Sequence, residues 1–383
     1  MAAVLSLCGA LIFFLPSITW SRKVSVQLNP GALTPPPGGD VVHVRAQGDN
    51  DTLHFLFCSQ GAPTLLMVHT NLSTSTLSVE WSVFLSDNSS GSVKVEPGSN
   101  ILYSRALVFT RLLEYNDVNN TAQVTSDLYP PYDLHNISWS HVKLSGTSVL
   151  LCGPLVLGLL CLKLSAFESE GRAETWPRLL HTANSSQMEV WLDGLYPRAE
   201  RSRFFLELQA VGGAYPLDSV AVRRSIDDEF TPSIFQVSQW TSATEDSSRG
   251  RGFVLWKPVA YRRSSPTLED ATPCRHSHPR PTDGQEVAAA SRLVRAFFYQ
   301  EVAYGLNVTF GLAGGPFYNS SRFLTWTLLV GVGLPPADTF SPLLLAIMAA
   351  GLGVPLLLLL MGGVYVCTRA PSASSVNSYQ PIN

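Results

Sequence analysis

Leu77-Ser78-Val79-Glu80-Trp81-Ser82-Val83-Phe84-Leu85 places an apolar side chain at every second position. Successive side chains of a β-strand point to opposite faces. The spacing therefore predicts one strand with Leu77, Val79, Trp81, Val83 and Leu85 on a core and Ser78, Glu80, Ser82 and Phe84 turned away. Short apolar runs recur outward from it at 41–46, 53–58, 65–69, 101–113, 188–192, 204–211, 253–256, 306–312 and 323–332, separated by Pro, Gly, Asn and Ser clusters. That pattern predicts an all-β fold of antiparallel sandwiches. Between the two apolar ends lie about 320 residues, too many for one typical core, so two β-sandwich-like domains are expected, 22–225 and 226–340. The best helical stretch in this part is 287–298, and 262–285, rich in proline and charge, reads as a mobile excursion.

The two ends set a topology. Residues 343–367 are almost unbrokenly apolar, long enough at about 1.5 Å per residue to cross a bilayer core of about 30 Å as one helix. Residues 4–15 are also apolar, end at Pro16, and read as a secretory signal peptide over 1–21. Together they predict a single-pass type I chain: a lumenal part, a transmembrane helix over 341–367 and a cytosolic tail over 368–383. The tail's Tyr379-Gln380-Pro381-Ile382 has the Tyr-x-x-apolar form that clathrin adaptors bind as an extended segment, with pockets for Tyr379 and Ile382. One further uncharged run, 149–162, is short for a span; it is expected to be a buried strand pair turning at Gly153-Pro154.

Asn50, Asn71, Asn88, Asn119, Asn136, Asn184, Asn307 and Asn319 each begin an Asn-x-Ser/Thr triplet, and all eight lie between the apolar ends. A glycosylated surface fits a chain in which only 14% of residues are charged. With a net charge of −3 and no basic cluster, neither nucleic acid nor an anionic membrane surface is implied as partner. Of six cysteines, Cys58, Cys152, Cys161 and Cys274 fall in the oxidising compartment as disulfide candidates with three possible pairings.

Catalytic patterns are missing. The chain has no Gly-x-Ser-x-Gly elbow, His-Glu-x-x-His or phosphate-binding glycine loop. Asp227-Asp228-Glu229 is read as a solvated turn or contact patch, because adjacent strand residues face opposite sides. Cys274, His276 and His278 are zinc-type ligands without a second pair at a recognised spacing. No catalytic residue, cofactor or metal is therefore assigned. Two features point to a protein partner instead. No sequon falls between Asn184 and Asn307, suggesting a sugar-free face, and Ala346, Ala350 and Gly353 share one side of the membrane helix, where small residues let another helix approach.

Leu112-Leu113-Glu114-Tyr115-Asn116-Asp117, Leu179-Leu180-His181-Thr182-Ala183, Ser225-Ile226-Asp227-Asp228-Glu229-Phe230, Val259-Ala260-Tyr261, Arg295-Ala296-Phe297-Phe298 and Leu329-Val330-Gly331-Val332-Gly333, with the membrane helix and tyrosine tail, resemble the glycosylated lysosomal membrane protein family. The resemblance implies a type I lysosomal membrane protein without enzymatic activity. It also implies a heterodimer with a lysosomal major-facilitator-superfamily dipeptide transporter, which this subunit stabilises and protects from proteolysis. The chain departs from the family pattern over 149–162. It also carries Gln187, Tyr215 and Ala303 where relatives carry cysteines, so the family's disulfide pairing does not transfer. The alternatives are a lysosomal hydrolase with a non-local site and a cell-surface adhesion receptor.

Overall fold

The computed structural model describes residues 21–124, 128–139, 141–213, 215–227, 229–243, 252–298, 302–338, 340 and 342–369. In chain order the first strands are β1 (Lys23–Leu28), β2 (Val41–Gln47), β3 (Thr52–Cys58), β4 (Thr64–Thr70), β5 (Thr76–Val79), β6 (Val93–Glu96), β7 (Ile101–Asn116) and β8 (Tyr132–Asp133). The middle supplies β9 (His141–Ser145), β10 (Ser148–Leu155), β11 (Gly158–Ala166), β12 (Gly171–Arg172), β13 (Leu180–His181), β14 (Ser185–Asp193), β15 (Ser202–Gly212) and β16 (Ser219–Arg224). The last are β17 (Gln236–Thr241), β18 (Gly252–Trp256), β19 (Val259–Tyr261), β20 (Ala271–His276), β21 (Arg280–Thr282), β22 (Ala303–Phe310) and β23 (Phe323–Val332). The helices are α1 (Trp81–Phe84), α2 (Gly284–Ala290), α3 (Arg292–Phe297) and α4 (Pro342–Arg369).

All pairings between these strands are antiparallel. One sheet runs β1-β2-β3-β4-β7-β15-β22. The other runs β9-β10-β11-β14-β23, and β23 then pairs with β18 along one half and β19 along the other. β20 joins the two: Ala271–Pro273 pair with β19, Cys274–His276 with β22. A strand that serves both sheets makes the corner of such a packing.

The core follows from strict alternation. In β4, Leu65 and Met67 face the second sheet, while Leu66 and Val68 face the opposite way. Between the sheets they meet Phe55, Phe109, Leu206 and Leu208 from the first and Leu162, Met188, Val190 and Leu328 from the second. On the first sheet's outer side Leu56, Leu66, Val68 and Val108 are covered by Val287, Leu293 and Val294 of α2 and α3 and by Phe84, Val93 and Val95. Each such fully buried side chain contributes roughly 1.5–3 kcal/mol.

The strand expected over 77–85 stops at Val79. Phe84, placed on the polar side by alternation, is fully buried instead, and a helical turn brings it onto the same face as Trp81 at a ring separation of 5.5 Å. Burying the phenyl ring favours the helical turn over continued strand. The strand pair expected over 149–162 is present as β10 and β11, but it turns at Val156-Leu157, with Leu155 opposite Gly158. Gly153 sits inside β10 for a packing reason: a Cβ there would come within 2.3 Å of Ile137 Cγ2. The helix expected over 287–298 is two helices broken at extended Ser291, whose hydroxyl accepts from Val294 N at 3.2 Å and bonds Thr64 Oγ1 at 2.6 Å.

Residues 262–285 are not an excursion. Thr267 and Asp270 form a capping box, and the segment then supplies β20 and β21, with Pro273 in the strand that makes the corner between sheets. The division expected between 225 and 226 runs through a single compact unit ending at Ala337, because β22 and β23 complete sheets begun by β15 and β14. Residues 338–383 group separately and contain α4.

Candidate functional site

The eight sequon asparagines occupy strand ends, turns and outward strand positions. Asn50, Asn71, Asn88, Asn119 and Asn136 are exposed, and Asn184, Asn307 and Asn319 are half-buried. Arg22 Nε donates to Asn184 Oδ1 at 2.9 Å, which leaves the amide nitrogen as the atom that would carry sugar. The segment without sequons does not form one face. It places β14 and β17–β19 in the second sheet, β15 in the middle of the first, and α2 and α3 over the first sheet's outer side.

Among the cysteines, Cys152 and Cys161 are bonded as directly opposed residues of β10 and β11. They staple a hairpin whose tip residues Val156 and Leu157 are exposed at 61% and 77%. Cys58 and Cys274 are buried free thiols. Burial pushes Cys58 up to about 12, and burial raises Cys274 as well, so neither forms a nucleophilic thiolate. Cys274, His276 and His278 make no metal cluster among the described residues.

Buried polar clusters hold loops. Arg203 Nε donates to Asp117 Oδ2 at 2.7 Å, and the same guanidinium reaches Asn120 Oδ1 at 2.6 Å and Gly315 O at 3.0 Å. Burial works against ionising Asp117, but the bonds from Arg203 and the amides of Ala122 and Thr121 hold its carboxyl below the usual range. Glu114, fully buried, accepts from Ser202 Oγ at 2.6 Å and from Arg198 N at 2.5 Å. His43 and His54 stack, with Nε2 and Nδ1 2.9 Å apart, and His54 Nε2 lies 2.8 Å from Ser75 Oγ.

The second sheet's outer face carries a cleft of about 460 Å³. Its floor is Glu189, Trp191 and Asp193 of β14 beside Phe323 and Thr325 of β23, with Trp191 opposite Thr325 and Asp193 opposite Phe323. Its walls are the loops Glu174-Thr175-Trp176 and Ser264-Ser265-Pro266. The first wall is tied to the floor: Thr175 Oγ1 donates to Glu189 Oε1 at 3.2 Å, and Thr327 Oγ1 to Trp176 O at 3.3 Å. Sequence reading found the strand over 188–192 and missed this face; the signal was its outward series Gln187, Glu189, Trp191 and Asp193, polar or aromatic at every second position.

α4 is the one helix among the described residues long and apolar enough to cross a membrane, and its span, Leu344–Arg369, contains Ala346, Ala350 and Gly353. Tyr379 and Ile382 of the tail, and the signal segment, lie outside the described residues.

Comparison with known proteins matches residues 40–373 to the family described as glycosylated lysosomal membrane protein. The zebrafish (Danio rerio) protein of that name is 50% identical over 380 residues, covering 94% of this chain and 92% of its own length. The cattle (Bos taurus) protein is 40% identical over 362 residues, at 90% and 87% coverage. The human (Homo sapiens) one is 38% identical over 381 residues, at 95% and 91%. A β-rich body bearing surface sequons, followed by one membrane-length helix, agrees with what these names describe, and the chain belongs to the glycosylated lysosomal membrane protein family.

Proposed function

We propose that this lysosomal membrane protein is a non-enzymatic accessory subunit that forms a heterodimer with a major-facilitator-superfamily dipeptide transporter, stabilising it and shielding it from lysosomal proteases. The observation that carries this reading is the distribution of sequons: all eight asparagines reach solvent on one compact β-unit, so sugar covers its surface without disturbing the core. N-linked glycans keep proteases from the backbone they overhang. Among the described residues, Arg203 ties down the connections on either side of it by bonding Asp117, Asn120 and Gly315.

α4 supports the same reading. Within its membrane-length span, Ala346, Ala350 and Gly353 offer a face on which a transporter helix packs closely. Tyr379 and Ile382 deliver the pair to lysosomes by engaging a clathrin adaptor. The test is purification of lysosomal membranes in mild detergent with mass spectrometry, followed by pulse-chase of the co-purified transporter. Loss of the lumenal unit shortens the transporter's lifetime; unchanged turnover sinks the proposal. Tyr379→Ala moves the chain to the cell surface with its partner.

A further inference from the structure

We infer that the cleft on the second sheet's outer face binds a pyranose sugar. A pyranose presents a flat patch of C–H groups and a rim of hydroxyls, and the cleft matches both. Trp176, Trp191 and Phe323 line it while only half-buried, so ring faces remain open to a ligand. Around them stand the carboxylates of Glu174, Glu189 and Asp193 and the hydroxyls of Thr175, Ser264, Ser265 and Thr325. At about 460 Å³ the space falls within the roughly 300–1,000 Å³ of small-molecule sites.

The polar groups are fixed before any ligand arrives. Glu189, its side chain 3% exposed, has Oε1 within 3.1 Å of Lys163 Nζ and 3.2 Å of Gln187 Nε2. Gln187 Nε2 also donates to Thr175 Oγ1 at 2.9 Å, and the far wall is anchored through Thr267, Arg263 and Asp270. Preorganised groups lower the ordering cost of binding. A cationic ligand fits less well. The charge of Glu189 is already matched by Lys163, and the Arg178 guanidinium sits 5.5 Å from the centroid of Trp176. A wholly apolar ligand would strip water from the exposed carboxylates of Glu174 and Asp193 without replacing their hydrogen bonds. A sugar satisfies both halves of the lining.

Such a sugar has two sources: an oligosaccharide from outside the chain, or the chain's own glycan at Asn319, four residues before Phe323. The test uses the full-length glycosylated protein in a detergent without a sugar headgroup, titrated with mannobiose, maltose, galactose and N,N′-diacetylchitobiose while tryptophan fluorescence and heat are followed. One disaccharide binds saturably in the millimolar range; Trp191→Ala weakens it by about tenfold or more, and Trp191→Phe by less, because a phenyl ring keeps part of the stacking face. Asp193→Asn, at an exposed position, tests the rim without touching the core. Binding that emerges only after amidase removal of N-glycans, or in Asn319→Gln, also supports the site and assigns the chain's own sugar as occupant. Three results overturn the inference: no saturable binding before or after deglycosylation, binding indifferent to both Trp191 variants, and saturable binding of spermidine or lysyl-lysine in place of sugar. The reading is independent of the transporter, since this chain alone is titrated.

Discussion

Acidification from pH 7 to pH 5 should destabilise this fold through His43 and His54, and the size of the loss follows from their burial. Burial, reinforced by the Arg45 charge, lowers His43 from 6.5 to about 4; burial, then the neighbouring charges of His43 and Arg45, lowers His54 to about 3. The unfolded chain therefore binds protons that the folded chain refuses. Unfolding free energy falls as pH drops below 6.5, and the loss is complete only below the folded values. At pH 5 each ring is 1.5 units below its unfolded value, about 2 kcal/mol, and because neither takes up a proton in the folded chain at that pH the two losses add, to an upper bound of about 4 kcal/mol.

The carboxylates do not confuse the measurement. Asp51 pays for its burial, yet hydrogen bonds from His69 and Arg22 hold it below the usual range. A depressed carboxyl adds stability above its unfolded value and loses it only as pH falls below about 4, outside the window. The assay is chemical denaturation at both pH values, followed by fluorescence of the buried Trp240, Trp256 and Trp326. His43→Gln/His54→Gln lowers stability at pH 7 by breaking the stack and the Ser75 bond, but the difference between pH 7 and pH 5 shrinks by up to about 4 kcal/mol. An undiminished difference would refute the assignment of both rings as neutral in the folded state.

Other perturbations separate the elements. Cys152→Ser/Cys161→Ser opens a loop of sequence separation 9 and costs roughly 2–3 kcal/mol by chain entropy, read as a lower melting temperature with the hairpin the first segment to exchange amide hydrogens. Arg203→Leu strands buried Asp117 and costs about 3–5 kcal/mol, while Asp117→Asn/Arg203→Leu recovers part of that loss in a double-mutant cycle. Ser291→Ala removes both the cap of α3 and the bond to Thr64, for about 1–2 kcal/mol, detectable in the same denaturation curves.

Where a segment's partners on both sides are strands, its short apolar run between turn residues located it. β4 and β23 are such cases: both faces of β4 are buried, and β23 lies between β14 and the β18/β19 pair. Misreadings arose where one distant contact outweighed the local pattern. Phe84 curled a strand end into α1, Ser291 split a helix to reach Thr64, and the pairing of β20 with β19 and β22 ordered a proline-rich stretch. Local composition carries no trace of those partners, which lie as many as 227 residues away. Chain length suggests a division, but only pairing shows that β22 and β23 close the sheets begun by β15 and β14.

Three of the residue blocks that carry the family resemblance help to hold the fold. In the block ending at Asp117, Glu114 ties β7 to the start of β15, and Asp117 anchors Arg203. Val259-Ala260-Tyr261 is β19, next to the corner strand, and Leu329 to Gly333 covers the end of β23 where β18 pairs. Side chains spent on internal hydrogen bonds and close packing cannot also meet a partner. The positions the fold leaves open are the sequon asparagines, the exposed apolar tip at Val156 and Leu157, and the Trp191 cleft. The cleft's lining comes from four separate stretches, 174–176, 189–193, 264–266 and 323–325, brought together only when β14 and β23 pair. A site assembled that way has no linear motif, so its chemistry becomes readable only once the strand register is known.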